Sequence, residues 1–98
     1  MRVISKSALV AFWTRYPEAK DVMEAWHTVA SHCNANDFVE LKSTFNSADY
    51  VPKYTVFDVG GNKYRIICAI HYNTQKIFVR EVLTHKEYDQ WTKKNRGK

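Results

Sequence analysis

The chain has 98 residues, 45% of them hydrophobic, with 15 Lys and Arg against 10 Asp and Glu, four His, two Cys, three Gly and two Pro. A chain this short supports one compact core, predicting a single domain over residues 1–98 without a deep cleft, and its apolar content excludes disordered, collagen-like and low-complexity classes. No window approaches the roughly 18 uninterrupted apolar residues of a membrane span, nor is there a signal-peptide stretch, so a soluble cytoplasmic protein with no membrane partner is expected.

Arg2-Val3-Ile4-Ser5 reads as a short strand, after which Ser5 or Ser7 supplies a helix N-cap. Leu9, Phe12, Trp13 and Tyr16 follow at the i, i+3, i+4, i+7 spacing of an amphipathic helix. Pro17 cannot continue that helix but suits the first turn of the next, where Glu18 and Asp21 sit at the positive end of the dipole. Ala19, Val22, Met23, Trp26, Val29, Ala30 and Cys33 stripe one face of this second helix, and Asn34 and Asn36 mark its end. So tight a junction predicts a helical hairpin whose aromatic residues pack into the core. Residues 36–53 form a connection with one helical turn, Asp37 to Phe45, anchored by Phe38, Leu41 and Phe45.

After Pro52 the hydrophobic period becomes that of strands. Residues 54–59 and 63–72 flank Gly60-Gly61-Asn62, which supplies the positive φ values of a hairpin turn. Tyr64, Ile66, Cys68 and Ile70 share one strand face, and Lys63, Arg65, Ile67, Ala69 and His71 the other. Asn73-Thr74-Gln75 turns into a last strand, Lys76 to Leu83. Thr84-His85-Lys86-Glu87 is a T-x-x-E capping box opening a terminal helix through Tyr88 and Trp91. The tail from Lys93 has no apolar residue and is expected to fray. The fold class is thus α+β, a small antiparallel sheet joined by the N-terminal strand, with the helical hairpin on one face and a short C-terminal helix. The other sheet face is expected to stay open for function.

Charge follows this division. Residues 1–52 carry five bases and six acids, residues 53–98 ten bases and four acids, so the surplus of +5 belongs wholly to the strands and last helix. Such asymmetry fits a polyanionic partner such as nucleic acid, or equally a solvated basic face. Cys33 and Cys68 form neither a CxxC pair nor a zinc knuckle and are read as core residues, while His27 and His32 lie on different helix faces, so no metal site is expected.

In the basic half, Lys63, Arg65, Arg80, His85, Lys86, Tyr88 and Asp89 can converge beside the sheet. Cleaving RNA without a metal requires deprotonation of a 2′-hydroxyl, stabilisation of a dianionic phosphorane and protonation of the leaving 5′ oxygen. His85 can act as acid or base, Arg65 and Arg80 can clamp phosphate, Lys63 adds charge, and Tyr88 can stack on a base or donate a proton. The same residues admit a plainer account: His85 an exposed first-turn residue, Arg80 and Glu81 an ion pair, and Asp89 a partner of Lys86 or Lys93.

Two segments, Val56 to Ile67 with its GGNKYR core and Ile77 to Asp89 with THKEYD, resemble the two-part signature of the HigB toxin family, within the RelE-like superfamily. Residues 1–5 and 38–49 are similar as well. The resemblance implies a RelE-like fold, cleavage of mRNA on the translating ribosome without a cofactor, inhibition of translation, and a cognate HigA-type antitoxin with a helix-turn-helix domain. Lys63, Arg65, Arg80, His85, Tyr88 and Asp89 match the family pattern; Arg65, Arg80, His85 and Tyr88 are expected to serve catalysis, and Lys63, Lys86, Asp89, Lys93 and Lys94 to bind RNA. The chain departs from the family pattern in Asp58, where many relatives carry Asn, and in its basic tail; neither is expected to touch the cations. Two other classes stay open: a non-catalytic RNA- or ribosome-binding module on the same basic face, and a structural partner protein with no RNA affinity.

Overall fold

The computed structural model describes residues 1–95. Strand β1 (Arg2–Ile4) leads into helix α1 (Lys6–Arg15), and a single 3-10 turn over Pro17–Ala19 joins it to α2 (Lys20–His32). Helix α3 (Phe38–Thr44) precedes strands β2 (Asp49–Val51), β3 (Tyr54–Val59), β4 (Tyr64–His71) and β5 (Lys76–Thr84), and α4 (His85–Asn95) follows. The sheet order is β1-β5-β4-β3-β2. Neighbours run antiparallel except β1 and β5, which pair in parallel. Among the described residues no helix is long and apolar enough to cross a membrane.

Local chemistry accounts for most boundaries. The α1 helix stops before Pro17, as an imide nitrogen requires, and Pro17 opens the short turn that feeds α2. Asp37 caps α3, its side chain accepting from the Glu40 N–H at 2.9 Å. Between β3 and β4 the turn residues Gly60, Gly61 and Asn62 have φ of 67°, 61° and 73°. A Cβ on Gly60 would lie 3.0 Å from the Tyr64 ring, so both backbone and packing call for glycine there.

The sheet is buried on both faces. Toward the helical hairpin, Leu9, Phe12, Met23, Trp26 and Leu41 pack on Phe57, Ile66, Cys68, Ile77 and Val79. Burial pushes the Cys68 thiol well above its usual range, and both cysteines are free and buried, as packing residues should be. On the far face Val51, Val56 and Ile67 pack under Trp91, with Tyr54, Leu83 and Tyr88 around them. Ile66 and Ile67, adjacent in sequence and both wholly buried, serve the two cores separately.

Several sequence expectations are corrected. The far face is not left open, because α4 lays Trp91 and Tyr88 across it. Ser5 stands at the N-cap of α1 but in the left-handed region, φ 78°, with no side-chain cap bond. Val29 is 45% exposed rather than in the core. The connection after α3 holds a further strand, β2, whose three residues are too few to show a period. Lys93 and Lys94 continue α4 instead of fraying, and Asn95 donates from Nδ2 to the Trp91 carbonyl at 2.8 Å; the tail beyond, 96–98, lies outside the described residues.

Candidate active site

The site forms where the β3–β4 hairpin meets the first turns of α4. Asp58 and Arg65 face each other across the two strands, and Arg65 Nη1 lies 3.0 Å from Asp58 Oδ1. The same nitrogen donates to the carbonyls of Asn62 at 3.1 Å and Tyr64 at 3.3 Å. On its other side the guanidinium carbon stands 5.0 Å from the centre of the Tyr88 ring. Tyr88 in turn stacks on Trp91, centroids 5.7 Å apart, and Trp91 meets Tyr54 edge to face at 5.7 Å. An aromatic column anchored in the far-face core therefore supports the arginine. A cavity of about 240 Å³ opens beside it, lined by Ser47, Asp49, Val56, Asp58, Arg65 and Tyr88.

Helix α4 is aimed at this point by its own start. Thr84 and Glu87 form the reciprocal capping box: the Thr84 N–H donates to Glu87 Oε1 at 2.9 Å, and the Glu87 N–H to Thr84 Oγ1 at 3.2 Å. The His85 N–H donates to the Lys63 carbonyl at 2.9 Å. His85 Nε2 lies 4.0 Å from Asp89 Oδ2 one helical turn on, both side chains well exposed. A carboxylate so placed can steady the orientation of the ring. Asp89 thus faces His85 rather than Lys86 or Lys93.

The structure brings Lys63, Arg65, His85, Tyr88 and Asp89 to one end of the hairpin. Lys63 belongs to the exposed turn, not to β4. Lys86 and Lys93 are exposed on α4, and Lys94 lies on the β5 flank of that helix, lining a second cavity with Glu81, Leu83 and Trp91. Arg80 is placed elsewhere. Cys68 pairs with Val79 and Ile67 with Glu81, so a one-residue bulge leaves Arg80 opposite nothing in β4. Its guanidinium sits 5.3 Å from the Phe78 ring, and it lines a cavity with Ala8, Phe12 and Arg15 of α1. Strand parity, which put Arg65 on the right face, cannot be carried through such a bulge.

The residue missed by sequence reasoning is Asp58, which touches Arg65 directly, contrary to the expectation that it leaves the cations alone. Its signal lay in the register: with residues 60–63 as a four-residue loop, Val59 meets Tyr64 and Asp58 meets Arg65, an acid opposite a base. Among the described residues no three His, Cys, Asp or Glu side chains group as a metal-binding set.

Comparison with known proteins agrees with the two motifs. Residues 19–91, from the end of the 3-10 turn through Trp91, match the family model of the HigB toxin, described as the RelE-like toxic component of a toxin-antitoxin system. The mRNA interferase toxin HigB of Escherichia coli strain K12 is 36% identical over 101 residues, covering 100% of this chain and 97% of the relative. The mRNA interferase HigB of Shigella flexneri matches equally, at 36% over the same coverage. An mRNA interferase HigB of Escherichia coli strain CFT073 is 29% identical over 96 residues, 95% of this chain and 93% of the relative. With strands β2 to β5, the capping box and the Arg65–Tyr88 pair in the matched span, the chain belongs to the HigB toxin family.

Proposed function

We propose that this protein is an endoribonuclease that cuts mRNA on the translating ribosome without a metal ion or cofactor, in the cytoplasm, and is silenced by a HigA-type antitoxin with a helix-turn-helix domain. The observation that carries the reading is Arg65 pinned between Asp58 and Tyr88 at the mouth of a cavity, next to an exposed histidine whose helix is tied to the same hairpin. The names of the full-length relatives, mRNA interferases, agree with it.

In this scheme the scissile phosphate rests against Arg65, whose charge stabilises the phosphorane. A base takes the 2′-hydroxyl proton, the 2′ oxygen attacks phosphorus, and the P–O5′ bond breaks as an acid delivers a proton to the 5′ oxygen. The products are a 2′,3′-cyclic phosphate and a 5′-hydroxyl, with no net electron transfer. His85, oriented by Asp89, and the Tyr88 hydroxyl supply the two proton-transfer groups. Lys63, Lys86, Lys93 and Lys94 bind flanking phosphates, and Arg80, on its own cavity, holds RNA away from the cut.

Expression without the antitoxin should arrest growth, and Arg65→Ala or His85→Ala should relieve the arrest while leaving the fold intact. Primer extension on mRNA from translating ribosomes should show defined new 5′ ends. Full toxicity of both variants would remove the site assignment. Protection of mRNA without cleavage would identify an RNA- or ribosome-binding module instead.

A further inference from the structure

Arg65 uses its guanidinium unevenly. Among the described residues, every hydrogen bond it makes runs through Nη1, to Asp58 Oδ1, the Asn62 carbonyl and the Tyr64 carbonyl at 3.0, 3.1 and 3.3 Å. One amino group with two hydrogens thereby meets three acceptors, so that corner is saturated. The opposite edge, formed by Nε and Nη2, presents two parallel N–H bonds, the fork that matches two oxygens of a phosphate. The plane is fixed as well, because the Tyr88 ring lies against it at 5.0 Å. Arg65 has little freedom to choose another pose, with 12% of its side chain exposed against 21% for Asp58.

A carboxylate this close to a phosphate-binding arginine is a liability for affinity. It cancels part of the positive charge and repels the phosphate. Two backbone carbonyls already accept from Nη1, so hydrogen-bond satisfaction alone gives no reason for an acid there. Its placement is explained by direction: the Asp58 carboxylate holds the corner that must turn away from RNA. We infer that Asp58 is a positioning residue for the cleavage reaction, anchoring Nη1 of Arg65 so that the Nε–Nη2 edge faces the scissile phosphate. The inference rests on the endoribonuclease reading above and adds to it a residue that never touches substrate.

The distinguishing property is that the anchor needs an acceptor, not a charge. Asp58→Asn keeps an oxygen that accepts from Nη1 and removes the negative charge; Asp58→Ala removes both. Asp58→Val, a good strand former, covers the case in which alanine loosens β3. The experiment is single-turnover cleavage of an mRNA on programmed ribosomes, with toxin in excess, giving a saturating rate and a half-saturation concentration for each protein. Asp58→Ala and Asp58→Val should lower the saturating rate by at least about tenfold, as small misplacements of a reacting group do. Their half-saturation should move by less than about threefold, since the cation remains. Asp58→Asn should keep the rate within about threefold of the parent and reduce the half-saturation concentration, because a repulsive charge is gone. Equal rates for the parent and the alanine and valine variants would overturn the inference while leaving the nuclease standing. Asparagine as damaging as alanine would overturn it too, showing that the charge itself is required. No cleavage by the parent protein would sink both readings.

Discussion

The backbone N–H of His85 donates to the carbonyl of Lys63 at 2.9 Å, so the first residue of α4 is bound to the turn from which β4 departs. Through this bond and the Thr84–Glu87 box, two segments more than twenty residues apart in sequence present Arg65, His85 and Tyr88 together. Order at the site is thus a matter of how α4 begins.

Removing the cap tests that dependence. Thr84→Ala deletes the oxygen that accepts from the Glu87 N–H, costing about 1 kcal/mol. For a domain of this size that lowers the thermal midpoint by about 4–8 °C, readable by circular dichroism. Glu87→Gln keeps an acceptor for the Thr84 N–H and should melt within about 2 °C of the parent, since glutamine serves the box as well as glutamate. Growth arrest should weaken in Thr84→Ala and persist in Glu87→Gln.

The second core should be as necessary as the first. Trp91 is 9% exposed, stacks on Tyr88 and closes over Val51, Val56 and Ile67. Trp91→Ala should cost about 3 kcal/mol, near the low end for a large buried aromatic because the second core is small. Trp91→Phe, keeping a ring in the column, should cost about half as much. Urea denaturation measures both, and a loss below about 0.5 kcal/mol for alanine would mean that α4 does not depend on this contact.

Much of this arrangement was legible in the residues. The helix stripes, the Gly-Gly-Asn turn and the T-x-x-E box depend on contacts within four or five positions, which spacing reports directly. Val29 was misplaced because a stripe shows which face of α2 is apolar but not how far along the helix the sheet reaches. Strand β2 is short and pairs with β3, and two of its three residues, Asp49 and Tyr50, are exposed. Arg80 defeated the period because a bulge is a property of two strands, visible only once their register is known. The burial of the far face was missed for a related reason: Tyr88 and Trp91 suffice to cover Val56 and Ile67, yet a polar helix of eleven residues carries too few apolar positions to show where it will lie.

If the lysines of α4 bind phosphates, their effect should appear in the salt dependence rather than in the pattern of cuts. Lys93 and Lys94 are exposed on consecutive positions near the helix end. For single-stranded RNA each phosphate contact contributes about 0.7 to the slope of log K against log salt. Replacing both with Ala should therefore lower that slope by about 1.4, and weaken binding alike for RNAs of different sequence. Fluorescence anisotropy of a labelled single strand between low and moderate salt gives the number; an unchanged slope would take these residues out of the interface.

Acid should weaken the fold through His27. Burial in the hairpin, reinforced by the charge of Lys6, holds its pKa below the ordinary histidine value. The unfolded chain, free of both influences, takes up the proton first as pH falls, and proton uptake by the unfolded chain alone drains stability from the native one. His27 should therefore have no effect above about pH 7.5, where the ring is neutral in both states, and a growing cost as pH drops through about 6.5. His27→Gln removes the titration, so the difference in unfolding midpoint between variant and parent should shift in the variant's favour from pH 7.5 to pH 5.5. Added salt should shrink only the Lys6 contribution and leave that of burial, since screening acts on charge pairs and not on desolvation. A midpoint difference that stays constant across that range would show that His27 titrates alike in the folded and unfolded chain.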